Sequence, residues 1–328
     1  MHTIKTRNIV LRFDMRSSPD CPDTPSDRYH AAIDMACWAD QQPVDVVGLS
    51  EHHDTEDGFL SAPLALAGMM LAKTQRVSVS VSALLVPLHD PLRLAEDIAL
   101  LDLIAKGRFS VTCGLGYREQ EYERFGVEWK TRGTTFDDKL DTLVAALTGS
   151  SFKYNGGTTQ LNPSPITPVQ ALLLIGGNSK AAARRAARLG LGFCPAIDDE
   201  SLASAYSAAC KNYNVEFGFI VFPREPSTTI ISEDPQACWK KFGKFLMYDA
   251  MAYGKWHHPN RRAYAESFAN TVEELEAEGK YRIISPEQAI EIVEKTESLH
   301  LAPLVGGIPI DIGLTSLELF SEKVAPFI

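Results

Sequence analysis

At 328 residues, with 45% hydrophobic and 23% charged residues, the chain has the composition of a globular protein with a core of ordinary size. A formal net charge of −10, and basic clusters no longer than Arg184-Arg185 with Arg188 or Arg261-Arg262, argue against nucleic-acid binding. The most apolar stretch, Leu64 to Ala72, is too short for a membrane span. Met1-His2-Thr3-Ile4-Lys5 leads into no long apolar segment, so no secretory signal is expected. Six cysteines without a CxxC pair are expected to be free thiols in a cytoplasmic protein. The length allows one barrel of strands and helices, which takes about 250 residues or more, or two ordinary domains.

In chain order, the first apolar run predicts a strand at 9–13. Thr24-Pro25-Ser26-Asp27 then places a cap before a proline, and Tyr29, Ile33, Ala36 and Cys37 keep helical spacing. Strands follow at 44–49 and 77–85. Asp90-Pro91 opens a helix with Leu94, Ile98 and Leu101 inward and Gly107 just past its end. After a strand at 109–113, Phe136, Leu140, Leu143, Val144 and Leu147 line a helix that stops at Gly149. Tyr154-Asn155-Gly156-Gly157 reads as a hairpin turn. Strands are predicted at 171–175, 191–195, 217–221 and 301–305, and Ser285-Pro286-Glu287-Gln288 has capping-box spacing.

Most of these eight strands are continuously apolar, as parallel strands covered on both faces are. Alternation with helices predicts an α/β fold, a (β/α)8 TIM barrel in a single domain over 1–328. Uneven spacing predicts insertions at about 115–170 and 224–284, after the fourth and seventh strands. The competing open, doubly wound sheet would carry a GxGxxG loop after its first strand, and none follows 9–13.

Barrel active sites lie at the C-terminal ends of strands. The second strand delivers Ser50-Glu51-His52-His53, then Asp54; the third Ser82-Ala83, running on to His89-Asp90; the fourth Cys113-Gly114-Leu115-Gly116-Tyr117; the fifth Gly176-Gly177-Asn178-Ser179. His52 and His53 are candidate acid/base groups, since imidazole titrates at about 6.5, and Glu51 is a candidate orienting partner. Alternatively His52, His53 and Asp54 would ligate a metal in a barrel hydrolase; adjacent residues on an extended chain point apart, and no His-x-His pair is present. A third option makes His53 a buried structural residue. The Gly176–Ser179 stretch, two glycines before a helix N-terminus, is a phosphate-site candidate, against the plainer role of Asn178 or Ser179 as a helix cap. His257-His258 read as surface loop. The aromatics Trp239, Phe242, Phe245, Tyr248, Tyr253 and Trp256 suggest an apolar or ring-bearing ligand or, equally, helix packing.

Several of these runs in order, Glu51-His52-His53, Pro87 with His89-Asp90-Pro91, Leu94 through Asp102 to Lys106-Gly107-Arg108-Phe109, and Gly114-Leu115-Gly116-Tyr117 with Glu121 and Phe125-Gly126, resemble the bacterial-luciferase-like superfamily. Gly176-Gly177-Asn178-Ser179 and Ser316-Leu317-Glu318-Leu319-Phe320 to Lys323-Val324-Ala325-Pro326 extend the likeness over nearly the whole chain. The resemblance implies a (β/α)8 flavin-dependent oxidoreductase, commonly a homodimer. Many members take reduced FMN from a separate reductase and use oxygen to monooxygenate a small organic substrate. It places His52 at the flavin with His53 beside it, and Ser82-Ala83 at a bulge, often with a non-proline cis peptide, under the ring. Gly114 falls on the cofactor rim, and Gly176, Gly177, Asn178 and Ser179 at the phosphate end. The Cys-Arg pair of the luciferases is replaced by Gly114-Leu115, so Cys113, one position earlier, inherits no flavin contact and the phosphate must be met by helix amides or another cation. The Glu-His-His run leans toward FMN; the alternative cofactor is the deazaflavin coenzyme F-420, used for hydride transfer without oxygen. A flavin-binding protein without catalysis is also compatible.

Overall fold

The computed structural model describes residues 7–216, 218–223, 228–256 and 267–328. The strands are β1 (Asn8–Phe13), β2 (Val46–Leu49), β3 (Ser78–Leu85), β4 (Phe109–Gly114), β5 (Phe152–Tyr154), β6 (Gly157–Thr159), β7 (Leu173–Gly176), β8 (Gly192–Cys194), β9 (Thr228–Ile231), β10 (Tyr281–Ile284) and β11 (Ser298–Leu301). Nine of them form one sheet in the order β10-β9-β11-β1-β2-β3-β4-β7-β8. Every pair in it is parallel. Beyond β8, Phe193 makes an isolated parallel bridge to Ile220. This is the α/β arrangement of a (β/α)8-type barrel, with helices between successive strands.

The helix ends follow their local chemistry. Thr24 accepts the amide of Asp27 ahead of helix Pro25–Gln41, and Asp90 accepts the amides of Leu92 and Arg93 ahead of Pro91–Ala105. Ser285 and Gln288 form the reciprocal capping box of Pro286–Thr296. Asn155 and Gly156, at φ 46° and 79°, make the tight β5–β6 turn.

Three expectations for the strands change. Within 217–221 only Ile220 pairs, and Phe217 lies outside the described residues. The next strand along the chain is β9, whose Thr-Thr start hides four buried positions. β10 sits inside the stretch 224–284 expected to be an insertion. The last strand is Ser298–Leu301 instead of 301–305, because Pro303 has no N–H to donate and Val305–Gly307 is a 3-10 turn.

The main core is built from β1 to β4, β7 and the inner faces of the helices, with Leu11, Val47, Val79 and Val111 fully buried. Each such side chain contributes about 1.5–3 kcal/mol. A second cluster lies under helix Pro235–Lys255, where Trp239, Phe245 and Leu246 meet Ile230, Tyr281 and Ile283. Trp239 and Phe245 are therefore packing residues. Tyr253 and Trp256, at the far end of that helix, belong to the site.

Candidate active site

His52 follows β2 and is buried. Its Nδ1 lies 2.8 Å from Glu121 Oε1, so Nδ1 carries a proton and donates it to the carboxylate. Nε2 is then the acceptor, and the hydroxyl of Tyr117 stands 2.9 Å from it. Glu121 Oε1 also accepts the amide of His53 at 2.9 Å and Nη1 of Arg118 at 3.1 Å. Arg118 in turn donates to the His53 carbonyl at 2.5 Å. One carboxylate oxygen thus fixes the loop and the imidazole together. The other, Oε2, is buried with no hydrogen-bond partner among the described residues.

Burial lowers the pKa of His52; the hydrogen bond and charge of Glu121 oppose this, while Arg118 and Arg16 reinforce it, and the net shift is downward. The imidazole is therefore neutral at pH 7, able to accept a proton at Nε2. Burial also raises the Tyr117 phenol, which stays protonated. Three rings enclose the imidazole: Trp256 at 4.7 Å, Phe59 at 4.8 Å and Tyr117 at 5.2 Å between centroids.

Glu51 points away from His52. Its Oε1 accepts Nε2 of His53 at 3.0 Å and Nε2 of His89 at 2.8 Å, and its Oε2 accepts the amide of Leu85 at 2.5 Å. Burial alone pushes this carboxyl up, but those hydrogen bonds outweigh it and hold it at about 2. Glu51 therefore ties the β2 and β3 ends together and orients His53 and His89, whereas His52 is oriented by Glu121. Asp54 turns outward to Arg124 Nε at 2.7 Å. His52, His53 and Asp54 do not converge, so the ligand set of a metal hydrolase is not assembled.

At the end of β3 the Ser82-Ala83 peptide is cis, and the pairing to β4 shifts register between Ser82 and Leu84. Gly114 lies under this bulge: a Cβ there would stand 2.7 Å from the Ala83 Cβ. Burial pushes the Cys113 thiol up to about 12, which leaves it a packing residue. Further round the rim, Gly176 abuts Thr112, where an added Cβ would meet Cγ2 at 2.9 Å, and Gly177 takes φ +130°. Asn178 Oδ1 accepts the amide of Ala196 at 2.8 Å, fastening this loop to the one after β8. Ser179 caps helix Lys180–Arg188 by accepting the amide of Ala182 at 3.2 Å. Amides before it in the first turn have no intrahelical acceptor. Arg185 and Arg188 are held by Asp137 and Asp141 on helix Arg132–Leu147.

The structure thus gathers Glu51, His52 and His53 at one point and places Ser82, Ala83 and Gly114 together at the next strand ends. Gly176, Gly177, Asn178 and Ser179 form a separate stretch of rim, and Ser50 makes no contact that gives it a role. His257, His258, Arg261 and Arg262 lie outside the described residues. The roles of Tyr117, Arg118 and Glu121 were not read from sequence, although their spacing at the head of helix Glu119–Arg124 was visible. Arg16 and Phe59 come from distant segments and left no local signal, whereas His89 and Trp256 were visible as a strand-end histidine and a member of the aromatic run without a specific role.

A family model described as luciferase-like monooxygenase matches residues 12–300. The chain belongs to this family. Among curated relatives, an uncharacterized protein of Sinorhizobium fredii is 26% identical over 159 residues, 47% of this chain and 45% of that one. The alkanal monooxygenase alpha chain of Photorhabdus laumondii is 37% identical over 84 residues, 26% of this chain and 23% of that one. The chain therefore spans less than half the length of these two relatives. Solved structures cover it more fully. A monooxygenase from Streptomyces bottropensis matches with TM-score 0.73 at 19% identity, over 97% of this chain and 99% of that one. The oxygenating constituent of 3,6-diketocamphane monooxygenase from Pseudomonas putida, in complex with FMN, matches at 0.65 and 18%, over 98% and 99%. An F-420-dependent secondary alcohol dehydrogenase matches at 0.66 and 15%, over 97% and 98%. At such identities these likenesses establish the luciferase-like barrel fold.

Proposed function

We propose that this chain is a flavin-dependent monooxygenase using reduced FMN and oxygen on a small, largely apolar organic substrate. The observation that carries the reading is His52: a neutral, buried imidazole with Nδ1 fixed by Glu121 and Nε2 facing Tyr117, inside a ring-lined enclosure at the strand ends.

The residues present fit a flavin. Gly114 lacks the Cβ that would crowd the Ala83 Cβ and so lets the bulge seat against β4, a support suited to a flat ring resting on Ser82-Ala83. The first-turn amides at Ser179, with Gly176, Gly177 and Asn178, suit the phosphate. When bound, reduced FMN supplies the electrons that activate oxygen for insertion into the substrate. His52 holds and moves a proton at Nε2, and Glu121 keeps its tautomer. Tyr117 lends or withdraws a hydrogen bond at the same atom. Phe59, Tyr253 and Trp256 exclude water. His53 and Glu51 position the loop.

The setting is cytoplasmic, in keeping with six unpaired cysteines and with no helix among the described residues long and apolar enough to cross a membrane. The partners are a small-molecule substrate, a separate flavin reductase and a second copy of the chain. Met69, Leu100 and Ile104, exposed on the adjoining helices Pro63–Lys73 and Pro91–Ala105, provide an apolar face for that homodimer.

Affinities for FMN, reduced FMN and reduced coenzyme F-420, together with oxygen consumption, test the reading. Micromolar binding of reduced FMN with oxygen uptake is expected. Preference for F-420 with oxygen-independent turnover would replace it by hydride transfer, and binding of neither would remove the flavin altogether.

A further inference from the structure

Arg16, just after β1, is fully buried, and its charge helps to keep His52 neutral. Its Nη1 donates to the Asp249 carbonyl at 3.1 Å and lies 3.6 Å from Asp249 Oδ1. Its Nε stands 3.0 Å from Asp57 Oδ2, in ion-pair contact but off hydrogen-bond alignment. Nη2 is buried with no acceptor among the described residues. A buried charged donor left unmatched costs about 1–3 kcal/mol or more, so its retention at this place calls for a reason.

The surroundings supply one. The guanidinium carbon lies 4.4 Å from the Tyr253 ring, 4.6 Å from Trp256 and 5.2 Å from Phe59. Trp256 and Phe59 are the same two rings that pack on His52. An unmatched donor and the proton-accepting imidazole therefore flank one aromatic enclosure. They stand on its β1 and β2 sides, while the bulge proposed to carry the flavin belongs to β3.

We propose, resting on the monooxygenase reading, that Arg16 is the polar anchor of the substrate: Nη2 donates to a neutral oxygen acceptor on an apolar, ring-sized molecule that takes the place of the Trp256 indole. Trp256 is suited to give way. It is the C-cap residue of helix Pro235–Lys255, partly exposed and outside the sheet. A neutral acceptor fits better than an anion because Asp57 and Asp249 already face this guanidinium, with Asp14 also buried close by. Burial first, then the charge of Asp14, holds the Asp249 carboxyl up at about 6 against the pull of Arg16 and Arg12.

Three probes of one shape separate the possibilities: indanone, indane and indanecarboxylate, with binding to the full chain measured by equilibrium dialysis with and without FMN. Indanone should bind about tenfold or more tightly than either of the others. In Arg16→Lys, which keeps the charge but loses the second guanidinium nitrogen, the preference should fall to within about twofold. Trp256→Ala should strengthen indanone binding. Equal binding of indane and indanone to the unaltered chain, tightest binding of the carboxylate, binding of none at millimolar concentration, or a preference that survives Arg16→Lys would each overturn the proposal. The unaltered-chain comparison holds even if Arg16→Lys fails to fold. FMN titration of the same samples reports on the flavin reading separately, since Arg16→Lys should leave FMN affinity within about threefold.

Discussion

Glu121 Oε1 holds Nδ1 of His52 at 2.8 Å from a position 69 residues further along the chain. The same oxygen takes the amide of His53, so the carboxylate sets the imidazole's tautomer and the path of the loop that carries it. Two consequences concern the chemistry at Nε2.

His52→Ala should slow turnover by about 10²–10⁴ while leaving flavin affinity within about an order of magnitude. Steady-state turnover beside an FMN titration checks both halves, and unchanged turnover would remove His52 from the reaction.

The pH dependence should report a histidine that charges below its ordinary range, because burial lowers it. A rate that needs neutral His52 therefore falls on an acidic limb below about pH 6.5. Glu121 raises this pKa, so Glu121→Gln should move the limb further down. A limb that stays put or moves up, in kcat/KM profiles of the two proteins, would detach Glu121 from His52.

Glu51 should contribute stability at neutral pH rather than chemistry. Its folded pKa of about 2, against an ordinary 4.5, favours the folded state by about 3 kcal/mol. A depressed carboxyl gives that contribution in full above the unfolded value and loses it as pH falls through the folded one. Urea melts should show the loss between about pH 5 and pH 2. Glu51→Gln should remove about 2–4 kcal/mol at pH 7 and flatten that acid dependence.

Ser179→Ala separates capping from cofactor binding. Loss of the cap on Ala182 should cost about 1 kcal/mol in melts of the flavin-free chain. If the hydroxyl also meets the phosphate, FMN affinity should fall by about 1–3 kcal/mol while riboflavin affinity holds. An equal loss for both ligands would place the phosphate elsewhere.

Gly114→Ala sets a methyl 2.7 Å from the Ala83 Cβ. The overpacking should destabilise the chain by about 1–3 kcal/mol and weaken FMN binding. Denaturant midpoints and a flavin titration measure the two effects, and a variant as stable as the parent would show that the bulge yields easily.

Much of the scaffold was legible because parallel strands covered on both faces read as apolar runs. β1 to β4 fell within the predicted spans to a residue or two, and the caps at Thr24, Asp90 and Ser285 announced their helices. β9 and β10 were missed because Thr228, Thr229 and Arg282 break the apolar run while the backbone still pairs. In the site, the pleat decides which of the two histidines Glu51 meets. Glu51 and His53 share a side two residues apart and bond each other, leaving His52 to a partner from beyond β4. Arg16 and Trp256, 240 positions apart, meet only once the barrel is formed.

β1 has β2 on one flank and β11 on the other, with Asn8 opposite Ser298. A growing chain cannot complete that flank until the second of these has been made. At about 5–20 residues per second the wait is about 15–60 s, during which the amides and carbonyls of the first strand offer an open edge to other nascent chains. The pairing of β1 with β11 thus leaves the first strand half-covered through most of synthesis, and makes that interval the natural moment for a chaperone to hold the chain.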